Sequence, residues 1–289
     1  MAILVAAVWG LNFIAVKWAV QDFPPLLANS LRFAGVFLVF LPFLKKVPGR
    51  MPQLLSMAFL MGVVHFGVMF LAISISDGVG AVAVAAQLTV PFSTILAIIF
   101  LKESVGWKRV TGVAISFGGV LVIGFDPVVF TYWHGLALMS LAAFIYSASA
   151  IMMRSLKEVA VTTVQAWVGL IGMTGSLLLS WLFENGQIGY LAAASSEGWL
   201  GILFNILGSS VIGHGLANYL FSRYEVSVVA PYFLIVPLFA VTAGVLLLDE
   251  EVTIRLVTGG ALTIVGVLVV TLRNRVRATK ADDATAVIS

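Results

Sequence analysis

The sequence predicts an all-α polytopic membrane protein whose ten transmembrane helices form two five-helix repeats of inverted topology. Three observations predict it. The 289 residues are 61% hydrophobic and only 10% charged, and the apolar stretches run continuously rather than alternating, which selects spanning helices over a β-barrel. One stretch occurs twice: slid so that Glu103 falls on Glu250, the chain also places Leu101, Val105, Thr111, Gly112, Gly119 and Leu121 on Leu248, Val252, Thr258, Gly259, Gly266 and Leu268, and upstream, where the shift drops by one residue, Pro91 falls on Pro237. Finally, basic and acidic residues segregate into alternate connections.

Spans of roughly 20 apolar residues are predicted at 2–20, 26–44, 54–75, 79–101, 110–125, 135–153, 162–183, 200–221, 228–248 and 254–272. The first run lacks a basic lead and a small-residue cleavage site, so it reads as a retained span and not as a signal peptide. The connections are short and carry turn residues, as in Pro24-Pro25, Pro48-Gly49, Asp77-Gly78 and Asp126-Pro127. The longest, 184–198, holds Ile188, Tyr190 and Leu191 and reads as an interfacial segment. The first repeat fills residues 1–125, a connector 126–134, the second repeat 135–272, and a basic tail 273–289.

With Lys45, Lys46 and Arg50 placed in the cytoplasm, alternation puts every Lys and Arg but Lys17, Arg32 and Arg255 on that side. The opposite connections hold Asp22, Asp77, Asp126, Glu184, Glu197, Asp249, Glu250 and Glu251. The positive-inside bias thus supports ten spans with both termini cytoplasmic. An odd number of spans separates the two copies, so they face opposite ways, and a broken helix at matching positions of two inverted repeats points to a transport site.

The pattern Pro91…Glu103…Gly112…Gly119, repeated as Pro237…Glu250…Gly259…Gly266, resembles the EamA domain of the drug/metabolite transporter superfamily. Trp9-Gly10-Leu11-Asn12-Phe13 followed by Arg32 resembles the family's first two helices. The resemblance covers nearly the whole chain as two tandem domains. It implies ten helices, export of small metabolites from a bacterial inner membrane, and, by overall similarity, kinship with aromatic amino-acid exporters. The charges that precede the family's first helix are missing, which places residue 1 just inside the natural start as an expectation.

Candidate site residues follow from chemistry that is costly in hydrocarbon. Pro91 and Pro237 each remove a helical hydrogen bond, freeing the carbonyls of Gln87 and Phe233; they are candidate hinges, or packing kinks. His65 is the most central ionisable residue and lines a polar cavity or ties two helices together. Ser210, His214 and Asn218, four apart, form one polar stripe that either lines the cavity or hydrogen-bonds a neighbouring helix. Trp9 with Asn12 and Tyr146 with Ser149 sit inside the spans that open the two halves, and Tyr232 lies between the ninth span's two prolines. These residues, with Gln87, make a candidate cavity of aromatics and sparse polar groups suited to an amphipathic ring-bearing solute, with core packing the alternative for any one of the aromatics. Arg32 either binds a solute carboxylate or holds Gln21, Asp22 and backbone carbonyls. Lys17, near its span's end, can snorkel. Glu103 and Glu250 read as structural, capping the following helix or pairing with Lys102 or Lys108. The glycine pairs read as packing seams, within the fold or at a dimer contact.

Other chemistry lacks its motifs. With no cysteine, disulfides and thiolate metal sites are excluded. There is no P-loop, no HExxH and no GxSxG elbow, so no cofactor is expected and an enzyme is the weaker reading beside a transporter. The alternative within the transporter class is a drug or nucleotide-sugar-like permease. Expected partners are a small-molecule substrate and the lipid bilayer, with no nucleic acid, and the chain acting as a monomer or homodimer. Single cysteines at 50 and 77, probed in intact cells with an impermeant thiol reagent, test the topology. Labelling at 77 but not at 50 is expected, and the reverse would sink the assignment.

Overall fold

The computed structural model describes residues 1–102, 105–224 and 226–286. Among them, ten helices are long and apolar enough to cross a membrane: Ala2–Asp22, Pro25–Phe43, Met51–Ser74, Gly80–Phe100, Trp107–Gly124, Trp133–Arg154, Val161–Phe183, Ser196–Leu220, Ala230–Leu248 and Ile254–Leu272. They are called here the first to tenth spans. The connection after the seventh carries a short exposed helix, Gln187–Ala193, with Ile188 84% exposed, as an interfacial segment would be.

Two pairs of spans that the repeat matches, the fifth with the tenth and the second with the seventh, lie side by side and antiparallel. In the fifth and tenth, a Cβ on Gly112 would come within 2.9 Å of the Gly266 carbonyl, and one on Gly259 within 2.5 Å of the Gly119 carbonyl. Those are two exchanged versions of one contact. Between them Thr263 approaches the Ser116 carbonyl at 3.4 Å. The glycine pairs are thus a seam inside the fold, closing two helices to backbone distance. The second and seventh spans meet likewise: Asn29 Nδ2 donates to Ser176 Oγ at 2.7 Å and to the Gly62 carbonyl at 3.0 Å. The fourth and ninth helices end alike, with Lys102 and Asp249 in the left-handed region (φ 53° and 52°), each a left-handed helix cap without glycine. This pairing of equivalents is what two copies related by a two-fold axis across the spans would produce.

Five spans begin at the acidic end, where four N–H groups per helix lack partners and the helix dipole is positive. Carboxylates from elsewhere in the chain meet four of the five, directly or through a capping hydroxyl. Glu184 accepts from the Leu26 and Leu27 N–H groups at 2.8 and 3.0 Å, capping the second span. Glu250 accepts from Val79 and Gly80, capping the fourth. Asp22 accepts from the N–H and hydroxyl of Ser195, the cap of the eighth. Asp126 accepts from Thr253, whose Oγ1 receives the Leu256 N–H of the tenth. Cations sit on the helix ends of opposite polarity: Lys17 donates to the carbonyls of Ile73 and Ser76, and Arg255 to that of Phe125. Tyr132 lies among these groups; burial, then Glu250, Asp77 and Asp126, pushes its phenol up to about 12, which keeps it neutral.

Two expectations change here. Glu250 caps the fourth span and not the helix that follows it, because the first-half helix start is the nearer set of orphan donors. Lys17 ties down the third span's end instead of snorkelling freely. Glu103 lies outside the described residues. Removing the Glu250 cap should cost about 1–2 kcal/mol. Glu250→Ala should therefore lower the melting temperature in detergent while Glu251→Ala, at an exposed position, leaves it in place. Equal melting temperatures for the two variants would contradict the capping role.

Candidate functional site

Two cavities open among the spans. One of about 530 Å³ lies between the first, eighth and ninth and is walled by Leu11, Trp18, Leu200, Leu203, Leu207 and similar side chains. Its walls offer no charged, amide or hydroxyl side chain to orient a solute, only the Trp18 indole, and Leu11, Leu203 and Leu207 are 38–49% exposed. The other, about 280 Å³, lies where the two halves meet and mixes aromatic, apolar and polar walls: Trp9, Asn12, Arg32, His65, Gln87, Tyr146 and His214 all line it. A concave, mostly apolar site with a few convergent polar groups is what recognition of a small molecule needs, so the second is the candidate.

Its walls repeat across the halves. Trp9 of the first span packs on His214 of the eighth with ring centroids 5.2 Å apart; Tyr146 of the sixth packs on His65 of the third at the same 5.2 Å. First and sixth, third and eighth are the exchanged spans, so one aromatic–imidazole pair stands on either side. Phe233 lies on the other face of Trp9 at 4.9 Å and Phe66 on His65 at 4.5 Å.

Both histidines stand at the end of a wide turn. The third span is π-helical over Phe59–His65 and the eighth over Phe204–Gly213, a rare geometry that marks functional segments. The wider turn breaks the expected four-residue stripe of the eighth span. Ser210 donates to the Asn205 carbonyl five residues back at 2.8 Å and accepts from Arg32 at 3.2–3.3 Å. His214 lines the cavity, while Asn218 lies half-buried outside it. His65 Nδ1–H donates to the Ala142 carbonyl at 2.9 Å, so it is both a tie between helices and a cavity wall, with Nε2 left over.

The broken helices flank this space. The fourth span is interrupted at Gln87–Leu88, between helical stretches Gly80–Ala86 and Thr89–Leu101. The Gln87 carbonyl is not freed by Pro91, because it accepts from the Val90 N–H at 3.2 Å. In the ninth span Ala230–Ile235 is a 3₁₀ helix, and the Phe233 carbonyl, which Pro237 cannot serve, accepts from the Val236 N–H instead and also receives the Gln87 side-chain amide at 3.1 Å. The tighter turn also sends Tyr232 outward, 47% exposed, and brings Phe233 in. Ser149 is buried against the Tyr146 carbonyl at 2.7 Å and does not reach the cavity.

Arg32, which the sequence left between a carboxylate anchor and a structural tie, lines the cavity. It is 1% exposed, has Phe66 over the guanidinium at 4.0 Å, and is not bonded to Asp22, which is engaged at the acidic end. A lone arginine in an apolar run was the available signal. Among the described residues, no three His, Asp or Glu side chains could hold a metal ion.

Comparison with known proteins fits this architecture. The sequence profile of the EamA-like transporter family matches residues 1–125 and 133–272. A probable amino-acid metabolite efflux pump of Escherichia coli K12 is 26% identical over 277 residues, covering 93% of each chain. Its namesake in Salmonella typhimurium is 28% identical over 96% of each, and an uncharacterized transporter of Archaeoglobus fulgidus 28% over 92% of this chain and 96% of that one. A crystal structure with 18% identity superposes with a TM-score of 0.65, covering 95% and 96% of the two chains, a likeness of fold.

The Gln87–Phe233 bond predicts a coupling. Gln87→Ala should destabilise by about 1 kcal/mol, the worth of one hydrogen bond to a carbonyl that keeps the Val236 N–H, and by less in a Pro237→Ala background, where a new N–H competes for the same carbonyl. Additive effects in the four-protein cycle of thermal unfolding would contradict this.

Proposed function

We propose that this chain, which belongs to the EamA-like transporter family, exports small organic metabolites, amino acids with aromatic or other apolar side chains foremost, by alternating access. The observation that carries the reading is the cavity between the halves, with matched aromatic–imidazole walls and a broken helix from each half beside it. Each repeat can adopt the other's conformation, which opens the cavity first to one face and then to the other. The breaks supply the bending points, and the capped acidic end supplies a surface that can close. The names of the E. coli and Salmonella relatives support amino-acid metabolites as the solute class. In this reading the protein lies in a bacterial inner membrane with its acidic end outside and both termini cytoplasmic, and it changes no bond in the solute.

The wall chemistry favours amino acids over nucleotide sugars. A cavity of about 280 Å³ lies at the small end of ligand sites, and only one guanidinium lines it where a diphosphate would call for several cations. Purified protein in liposomes preloaded with L-phenylalanine should exchange it for external labelled phenylalanine and return it with unchanged mass. Uptake that labelled sugar nucleotides share and amino acids do not would overturn the solute class. In the same vesicles Pro91→Ala or Pro237→Ala should slow exchange more than it weakens binding, because alanine restores a helical bond and stiffens the bend. His65→Ala should lower the rate per folded molecule and His65→Gln recover part of it. A wild-type rate for His65→Ala would remove that residue from the path.

A further inference from the structure

We propose that Arg32 is the anion anchor of the cavity: its guanidinium and the Trp9 indole N–H hold the carboxylate of the solute, and Asn12 Oδ1 receives the solute's ammonium. This rests on reading the cavity as the solute site, and it narrows the solutes to those with a free carboxylate on an apolar body.

The argument starts from charge. Arg32 sits seven residues into the second span and is 1% exposed, yet no Asp or Glu lines the cavity among the described residues. A buried cation without a counter-charge is costly in hydrocarbon unless something pairs with it. The protein's own contacts leave the pairing incomplete. Nε and Nη2 both converge on one neutral acceptor, Ser210 Oγ, at 3.3 and 3.2 Å, and that hydroxyl donates its proton to the Asn205 carbonyl. Phe66 covers the guanidinium face at 4.0 Å and Phe33 lies at 5.4 Å, which leaves the edge N–H groups as the polar surface. Nη1 has no partner.

Two more groups on the same cavity are also unsatisfied. Trp9 Nε1, a donor only, and Asn12 Oδ1, an acceptor only, are buried without partners. Spare donors at Arg32 and Trp9 beside one spare acceptor complement a carboxylate next to an ammonium, the head of an α-amino acid. The aromatic walls take the side chain. A simple amine would meet one acceptor and the repulsion of Arg32.

Thermal stabilisation of the purified full-length protein, at fixed ionic strength, tests the anchor with five probes. L-Phenylalanine and 3-phenylpropionate should stabilise; L-phenylalaninamide, phenethylamine and inorganic phosphate should not. Arg32→Gln should weaken phenylalanine binding about 10- to 100-fold, the span of one charge-assisted hydrogen bond, with Arg32→Lys between the two. If Arg32→Gln does not fold, the probe series on the natural protein decides alone. Stabilisation by the amide or by phenethylamine equal to that by phenylalanine would overturn the anchor, as would no stabilisation by either carboxylate. An equal shift from phosphate alone would reduce the site to a generic anion site and overturn it too. Exchange of 3-phenylpropionate but not phenylalanine in liposomes would keep the anchor and remove the amino-acid reading; equal exchange of phenylalanine and its amide would do the opposite.

Discussion

In hydrocarbon, every backbone N–H and C=O must find a partner inside the protein, and the rest of this structure follows from how that demand is met at helix ends and helix breaks. A spanning helix satisfies its own middle. Its first and last turns, and any turn interrupted by proline, need partners from elsewhere. Here those partners come across the repeat: Glu250 of the second half on the start of the fourth span, Glu184 on the start of the second, Asp22 on the cap of the eighth, Gln87 on the carbonyl that Pro237 leaves. The halves are therefore joined by polar bonds at their ends and by small-residue seams along their lengths. The carboxylates at the acidic end do more than follow the positive-inside bias, since they cap helices that begin there.

At the cavity, too, polar satisfaction stops short. Trp9, Asn12 and Arg32 each keep a polar atom without a partner, in a wall otherwise closed by aromatic contacts. The two wide turns that end at His65 and His214, and the 3₁₀ turn before Pro237, flank the space, and the 3₁₀ turn brings Phe233 to it. Geometry away from the ideal α-helix is concentrated around one site, where a solute is received and where bending is needed.

Much of this was legible in the sequence, for physical reasons. Runs of about 20 apolar residues and the segregation of Lys45, Lys108 and Arg154 from Asp22, Asp77 and Asp126 gave ten spans whose ends lie within a few residues of those observed. Pro91 and Pro237 marked the broken helices because proline lacks a donor wherever it sits. The partners were not legible, because nothing local in Glu250 or Gln87 says which distant helix end it meets. The π and 3₁₀ turns were hidden as well, since Phe59–His65 and Ala230–Ile235 carry residues that an α-helix would also accept apart from Pro231. That is why an assumed 3.6-residue period grouped Asn218 with His214, and Tyr232 was placed where Phe233 is found. Arg32 was visible as an anomaly, but its lack of a carboxylate partner is a fact of three dimensions.

The central claim is that the two halves move against each other around this cavity, and distances between spin labels test it most directly. The chain has no cysteine, so pairs can be placed freely: residues 77 and 251 across the acidic end, and residues 46 and 157 across the other. On adding a transported solute the account predicts that the two distances change in opposite senses, one end closing as the other opens. Distances that stay fixed, or that lengthen or shorten together, would contradict it.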